Sequence, residues 1–538
     1  MDCSPDVLPR ASRASPWVDP PPKFSIFKSS ATLPESAEIV VIGGGFSGVS
    51  VAYHILNSYP GINVVLLEAG QICSGATGRN GGHLRPDYYT YTEAAVKRFG
   101  EEDAIRLSNF ERQNFEALSD LIEKEKINCE FDKNGQAWRV FLSEDEFQDD
   151  LRNLALMRDI GGNVEDVHVY QRDEARRITG IAGCYGAIAS PASPISPTKL
   201  VSHLLEACML SGLHLQTNTR VLNITNNVLS GSSSPSFKDP ADDFIEIDQS
   251  LLRMSPSRKS FLYKLHTSNG AILANKVVHA TNAYLDTLLS VSPHIASNIC
   301  SDNLNVLVTP TRGHVCEVRL AGGRTKLSMD PSYNITNMNF NRGGDYLIQR
   351  PNGNLVFGGG RRFGKGLGYE SFNTLTTAES EIDAAVDLHL RSFLTQSLGF
   401  DTGRYLRPLD CGNNDKPKSQ FSEKIDLIRE WTGIMGFSVD EYPLVGKVPS
   451  FVDESHEYCI SGFTGHGMPR IFLAAKWLAQ SILLDDRDYQ YDQEYHSSAE
   501  MTQSFVSRKV ERQVDMPFCF VMNEQRLKNM MELVKTKE

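Results

Sequence analysis

Gly43, Gly45 and Gly48, within Gly43-Gly44-Gly45-Phe46-Ser47-Gly48, have the spacing of a turn that cradles a pyrophosphate. The first glycine permits a tight turn, the second lets backbone approach the phosphates, and the third lets a helix lie close to a strand. Amides at the helix start, beginning with Phe46 and Ser47, then face negative charge. Glu68 stands 20 residues after Gly48, where a carboxylate takes ribose hydroxyls, and no basic side chain beside it suits a 2′-phosphate. The chemistry this pattern supports is dinucleotide binding, and the pattern alone leaves NAD and FAD open. Directly after Glu68, the run from Ser74 to His83 contains Ala76, Thr77, Arg79, Asn80, Gly81 and Gly82. Its mostly small residues let the backbone run against a large flat ligand.

These residues need elements to position them. Glu38 to Ile42 is a short apolar strand, Val49 to Leu56 has the spacing of a buried helix, and Asn63 to Leu67 is a second strand, together one βαβ unit. Thr92 to Lys126 and Ser143 to Arg158 read as amphipathic helices, the latter opened by a Ser143/Glu146 capping box, with a strand at Gly135 to Leu142 between them. Ser196, Pro197 and Gly212 delimit another helix. Leu213 to Thr225, Phe261 to Thr267 and Ala271 to Ala280 are extended, and Asn269-Gly270 predicts a hairpin between the last two. The Ser-, Pro- and Asp-rich segment from Asn226 to Lys259 reads as a flexible surface insertion. Val306 to Val318, Asp345 to Arg350 and Asn354 to Gly358 form strands of a second sheet, with a turn at Pro351-Asn352-Gly353. A helix with a Thr376/Glu379 capping box follows, and Ile471 to Leu484 is apolar enough to be an internal helix.

Composition narrows the class of protein. A chain of 538 residues exceeds one core, and 41% hydrophobic with 22% charged residues is that of an ordinary globular protein. Its net charge of −12 disfavours nucleic acid and anionic membrane surfaces as partners. No run reaches the roughly 18 to 20 apolar residues of a spanning helix. Ten scattered cysteines, without Cys-x-x-Cys pairs or metal-ligand spacing, read as thiols in a reducing compartment, the cytoplasm, and no metal is expected. The first 35 residues, with Pro20, Pro21 and Pro22, read as a disordered tail without a targeting signal.

From the 74–83 segment onward the chain resembles the D-amino-acid-oxidase-like family of FAD-dependent oxidoreductases, in the branch of γ-glutamylputrescine, glycine and sarcosine oxidases. Asn218-Thr219-Arg220-Val221 resembles the segment that passes the adenine, and Ala280-Thr281-Asn282-Ala283-Tyr284 the step returning beneath the cofactor. Trp431 to Phe437, with Asp440, Pro443 and Gly446, resembles the strand and turn near the flavin ring. Gly462-Phe463-Thr464-Gly465-His466-Gly467-Met468 resembles the C-terminal flavin motif. Lying just before the apolar helix, Gly465 to Gly467 can aim free amides and a positive dipole end at the flavin N1 and O2 region, where reduction places charge.

The resemblance implies an α/β, Rossmann-like and discontinuous FAD domain (36–90, 185–300 and 430–490) and a mixed-sheet substrate domain (91–184 and 301–429). The insertion at 226–259 and a C-terminal extension, 491–538, complete the organisation. It also implies oxidation of an amine or amino-acid C–N bond to an imine, with electrons passed to oxygen as peroxide. A dry pocket over the flavin keeps the amine uncharged. His466 and Lys326 are the implied catalytic residues, Lys326 standing where relatives place a cation near flavin N5. Arg85, Arg361 and Arg362 are candidate anion clamps, and Tyr346 and Trp431 candidate pocket walls. Covalent-flavin relatives have cysteine where Gly433 falls or histidine where Arg79 falls, so the FAD is expected to be non-covalent. Sarcosine-type enzymes place a carboxylate-binding lysine where this chain has Met468-Pro469-Arg470, which counts against a small amino-acid substrate. Two other readings are a non-catalytic flavoprotein scaffold in trafficking or assembly, with the Ser-rich insertion, the Pro-rich tail and the extension after Asp485 as interaction arms, and an NAD-linked dehydrogenase.

Overall fold

The computed structural model describes residues 14–179, 181, 183–226, 262–289, 307–320, 332–336, 345–360, 382–396, 400–401, 423–449, 455–484 and 514–537. The expectations for Lys326, Arg361, Arg362, the Thr376 capping box and all but the first residue of the 226–259 insertion fall outside them.

Two sheets organise the chain. In the first, Ser36–Ile42 lies between Gly270–His279 and Val64–Leu67 and is parallel to both, with His214–Gln216 beyond Val64–Leu67 and Glu457–Ser461 beyond Gly270–His279. Strands covered on both faces are apolar throughout, which explains Val64–Leu67 (Val-Val-Leu-Leu), buried at every residue. Register pairs Ile42 with both Leu67 and His279. The next residue of each strand, Gly43, Glu68 and Ala280, therefore emerges at the same carboxyl edge, the edge where α/β sheets bind ligands. The hairpin expected at Asn269-Gly270 is present, Tyr263–Thr267 pairing antiparallel with Gly270–His279.

Helices Phe46–Ser58, Pro197–Leu210 and Ile471–Leu484 share one core with Phe110 and Leu118 of Glu101–Glu125. Ser143 and Ser196 sit at N-caps, but neither side chain makes a capping hydrogen bond, contrary to the Ser143/Glu146 reading. A cap contributes about 1 kcal/mol. Full burial of one Leu or Ile contributes roughly 1.5–3 kcal/mol, so residues such as Leu478 and Ile482, with no exposed surface, outweigh it.

Among the described residues the second sheet has nine strands, in the order Phe400–Asp401, Glu423–Ser438, Val308–Leu320, Leu355–Gly359, Asp345–Gln349, Ser332–Thr336, Gln136–Phe141, Gly186–Pro191 and His168–Gln171. It corrects two boundaries. Residues 186–191 and 430–438 belong to this sheet rather than to the cofactor domain, because their backbone pairs with Gln136–Phe141 and Val308–Leu320. The helix expected from Thr92 to Lys126 is two, Thr92–Phe99 and Glu101–Glu125, broken at Gly100 with φ +88°.

The tail expectation is also corrected. Residues 14–35 lie along the cofactor domain: Trp17 is buried, its indole N–H donates to the Asn80 carbonyl at 2.7 Å, and Ser29 N–H donates to Leu215 O at 2.8 Å. Composition hid this because a single aromatic anchor with backbone pairing holds a polar segment. At the other end, helix Glu524–Lys537 docks through Arg526, and Phe520 is fully buried against Phe110. These parts of the two terminal segments expected as interaction arms are used within the molecule. No described helix is long and apolar enough to cross a membrane.

Candidate active site

The carboxyl edge of the first sheet opens into a cavity of about 1730 Å³ whose far wall is the second sheet. Pockets for one drug-sized ligand are about 300–1,000 Å³, so this one has room for a dinucleotide and a second molecule together.

Every residue expected to contact cofactor lines it except Gly48 and Gly82. Those two glycines serve packing: a side chain at Gly48 would collide with the Gly43 carbonyl, and one at Gly82 with Trp17 and the Ile195 carbonyl. Gly43 has φ +117°, and a Cβ there would lie 2.5 Å from Ala280 O. A Cβ at Gly45 would lie 2.9 Å from Thr77 Oγ1, the atom that accepts the Phe46 N–H at 2.9 Å.

Glu68 accepts the Gly44 and Gly70 N–H groups, each at 2.7 Å, which aims the carboxylate across the loop. Burial raises its pKa, while the backbone N–H groups of Gly70, Gly44 and Ala69 pull it down. Thr281 Oγ1 is buried in the wall without a protein partner. A bare glycine cradle, a helix start, a carboxylate at the strand end and a buried hydroxyl in the wall fit the ADP half of a dinucleotide such as FAD.

Three distant segments meet opposite this cradle. Asn282 Oδ1 accepts the Phe463 N–H at 3.4 Å and Asn282 N–H donates to Ser461 Oγ at 3.1 Å. Thr464 N–H donates to Gly436 O at 2.7 Å. Asn282 and Thr464 both hold positive φ, +47° and +53°. Such backbone is costly for residues other than glycine and persists where the surroundings enforce it, often at functional sites.

His466 lines the cavity, and its Nε2 lies 2.9 Å from Glu111 Oε2 of helix Glu101–Glu125. Arg470 Nε donates to Glu111 Oε1 at 2.7 Å, and Asp87 N–H donates to Oε2 at 2.6 Å. Burial alone would raise the Glu111 pKa. The charges of His466 and Arg470, helped by hydrogen bonds from His466 and Asp87, win and lower it from 4.5 to about 2. A depressed carboxylate stabilises the fold fully above its unfolded value, and that contribution is lost as pH falls from 4.5 toward 2. Glu111→Gln is therefore expected to lower stability at neutral pH, by roughly the 1.5–3 kcal/mol of a buried charge-assisted hydrogen bond. In urea unfolding followed between neutral pH and pH 2, the difference from the parent should shrink as pH falls; a constant difference would count against the network.

Arg85 and Tyr346 line the cavity. Burial, then Arg85 and His466, hold His83 between them down to about 3, so it is neutral at working pH. Trp431 does not line the cavity. Its side chain is buried among Trp17, Val315, Ile348 and Val356, and its indole N–H donates to Arg79 O at 2.9 Å. It braces the 74–83 segment from behind instead of walling the substrate space. Arg79 lines the cavity and also donates to Ser74 O and Thr432 O at 2.9 Å each, tying the 74–83 segment to the second sheet.

Sequence reasoning missed Glu111, which sits within an ordinary amphipathic helix pattern and carries no local signal. It also missed the pairing of His314 with Glu430, 2.9 Å apart, with Asp387 near both. Pairing of strands 116 residues apart creates the His314–Glu430 pair, and helix Ala384–Gln396 adds Asp387.

Residues 38–481 match the family described as DAO: FAD dependent oxidoreductase. Among curated proteins, the chain is 22% identical over 459 residues to gamma-glutamylputrescine oxidoreductase of Escherichia coli, covering 84% of this chain and 85% of that one. It is 20% identical over 455 residues to the probable oxidoreductase OrdL of Haemophilus influenzae, covering 84% of each. Among solved structures it shares the fold of glycine oxidase from Geobacillus kaustophilus, with TM-score 0.55, 17% identity and coverage of 84% and 96%. The iminodiacetate oxidase from Chelativorans sp. BNC1 matches similarly, with TM-score 0.55, 15% identity and coverage of 84% and 96%. A glycine cradle, a strand-end carboxylate and a glycine-rich loop before an apolar helix, converging on one cavity within a match over most of the sequence, establish that this chain belongs to the DAO family of FAD-dependent oxidoreductases.

Proposed function

We propose that the protein oxidises a C–N bond of an amine or amino acid to an imine and passes the electrons to oxygen, forming peroxide. The observation that carries this reading is the single cavity reaching from the glycine cradle at Gly43 to the loop at His466. The names of the relatives, gamma-glutamylputrescine oxidoreductase and glycine oxidase, support the substrate class. FAD, when bound, accepts the hydride from the carbon beside nitrogen.

The chain's own part is to bind, orient and exclude water. Gly43 and Gly45 admit the pyrophosphate to the helix start, Glu68 takes ribose hydroxyls, and Thr281 has a hydroxyl to offer the ligand. The loop of Gly465, His466, Gly467 and Met468 would border the redox ring, with the positive dipole end of helix Ile471–Leu484 behind it; its own His466 N–H is already given to Phe463 O at 2.9 Å. Tyr346 and the neutral His83 wall the remaining space, where a desolvated amine favours its uncharged, reactive form, and Arg85 is placed to pair with an anionic end of the substrate. Non-covalent attachment fits the residues present, since glycine stands at 433 and arginine at 79, and neither offers a side chain that bonds to a flavin. Buried thiols at all seven described cysteines fit a reducing compartment, the cytoplasm.

Anaerobic mixing with D- and L-amino acids, N-methylated amino acids and polyamine derivatives tests the reading. At least one should bleach the flavin absorption, and readmitting oxygen should restore it with one peroxide per turnover. Bleaching by none would leave the scaffold reading standing, and recovery without peroxide would assign a different electron acceptor.

A further inference from the structure

We propose that Glu111 is a positioning residue for the redox site, the point at which the helix Glu101–Glu125 grips the flavin loop and sets its charge. Its carboxylate is 2% exposed and receives His466, Arg470 and the Asp87 N–H together. One turn further along the same helix, Asn114 Oδ1 accepts the Leu473 N–H at 2.9 Å and Asn114 Nδ2 donates to Met468 O at 3.4 Å. Leu473 lies in the first turn of Ile471–Leu484, so Asn114 caps that helix from a neighbouring one. Glu111 and Asn114 thus hold both ends of the stretch from His466 to Leu473. Phe520 closes the arrangement from the other side, its ring 5.2 Å from the Arg470 guanidinium and packed on Phe110 beside Glu111.

The charges facing the site define what Glu111 adds. Arg470 and Arg85 are cationic, His83 is neutral, and Asp87 lies alongside. Glu111 is the carboxylate in direct contact with both His466 and Arg470. It offsets positive charge near the ring while fixing the imidazole edge, so its two roles act in opposite directions on reduction. Removing the charge leaves Arg470 less compensated and favours a ring that becomes negative. Releasing His466 disorders the group that meets the ring.

This inference rests on seating FAD against the loop at 465–468, and the experiment separates the two claims. In Glu111→Gln holoenzyme the flavin midpoint potential should rise, while its reduction by substrate slows on the order of tenfold or more. Glu111→Asp keeps the charge but is one methylene too short to reach His466, so the rate should fall with the potential unmoved. Both variants should release FAD more readily, measured by fluorescence titration of apoprotein with FAD. A merely structural role would lower stability and leave the potential of retained holoenzyme unchanged. Should Glu111→Gln not retain FAD, Glu111→Asp carries the same rate and titration test. Variants that match the parent in potential, reduction rate and FAD affinity would overturn the positioning role while leaving the seat of the cofactor intact. The cofactor seat itself fails only if Gly45→Val retains FAD.

Discussion

Gly45→Val is expected to yield a folded, colourless protein with no measurable flavin-dependent oxidation. The argument depends on which glycine is changed. At Gly43 a valine would meet both a φ of +117° and the Ala280 carbonyl 2.5 Å from its Cβ, so fold and site would fail together. Gly45 has φ −89° and ψ −172°, a conformation any residue adopts. The only obstacle there is Thr77 Oγ1 at 2.9 Å, which a small shift relieves. The valine methyls would instead occupy the approach to the helix start, where the phosphates must come within hydrogen-bonding distance of amides. FAD affinity should fall at least about a hundredfold, near 3 kcal/mol at about 1.4 kcal/mol per tenfold. Absorption spectra and the FAD content of purified protein read the outcome, with circular dichroism confirming the fold. Stoichiometric FAD in this variant would move the cofactor away from the proposed cradle.

Asp440→Ala should produce the largest loss of stability among surface-remote changes. Arg526, on the helix Glu524–Lys537, donates to Asp440 through Nε at 2.9 Å and Nη2 at 3.1 Å, and also to Pro443 O through Nη1 and Tyr442 O through Nη2. Both partners are buried. Removing one member of such a pair leaves an uncompensated charge and costs about 3–5 kcal/mol. Replacing both by apolar groups costs less, so Asp440→Ala/Arg526→Met should recover part of the loss in urea unfolding. The consequence reaches the site because this turn carries the C-terminal segment, including Phe520, onto Arg470. Limited proteolysis should cut the C-terminal segment sooner in Asp440→Ala. Equal losses in the single and double variants would show that packing, and not the ion pair, holds the segment.

The family resemblance and the local elements were legible because each motif is a consequence of short-range physics. An apolar strand ending in glycines and followed by a helix pattern allows few structures, and the continuous apolar run at Ile471–Leu484 could only be internal. The order of these motifs along the chain was enough to indicate a cofactor domain built from separated segments. Its boundaries were not legible, because membership of a sheet is decided by backbone pairing. Strand Glu423–Ser438 reads alike in either sheet, and its register with Val308–Leu320 assigns it to the second.

The same distinction runs through the site. Sequence alone determined that Gly43 and Glu68 follow the ends of adjoining strands, that Gly45 precedes a helix, and that Gly465 to Gly467 lie just before a buried one, since turn geometry and hydrophobic period act over a few residues. Only tertiary structure decided that Trp431 faces the core, that Trp17 anchors a segment resembling a tail, and that Glu111 reaches His466 across 355 positions. Side chains of ordinary type in ordinary patterns acquire such roles when packing brings distant backbone together, because hydrogen bonds and desolvated charges act over a few ångströms in space, whatever the separation along the chain.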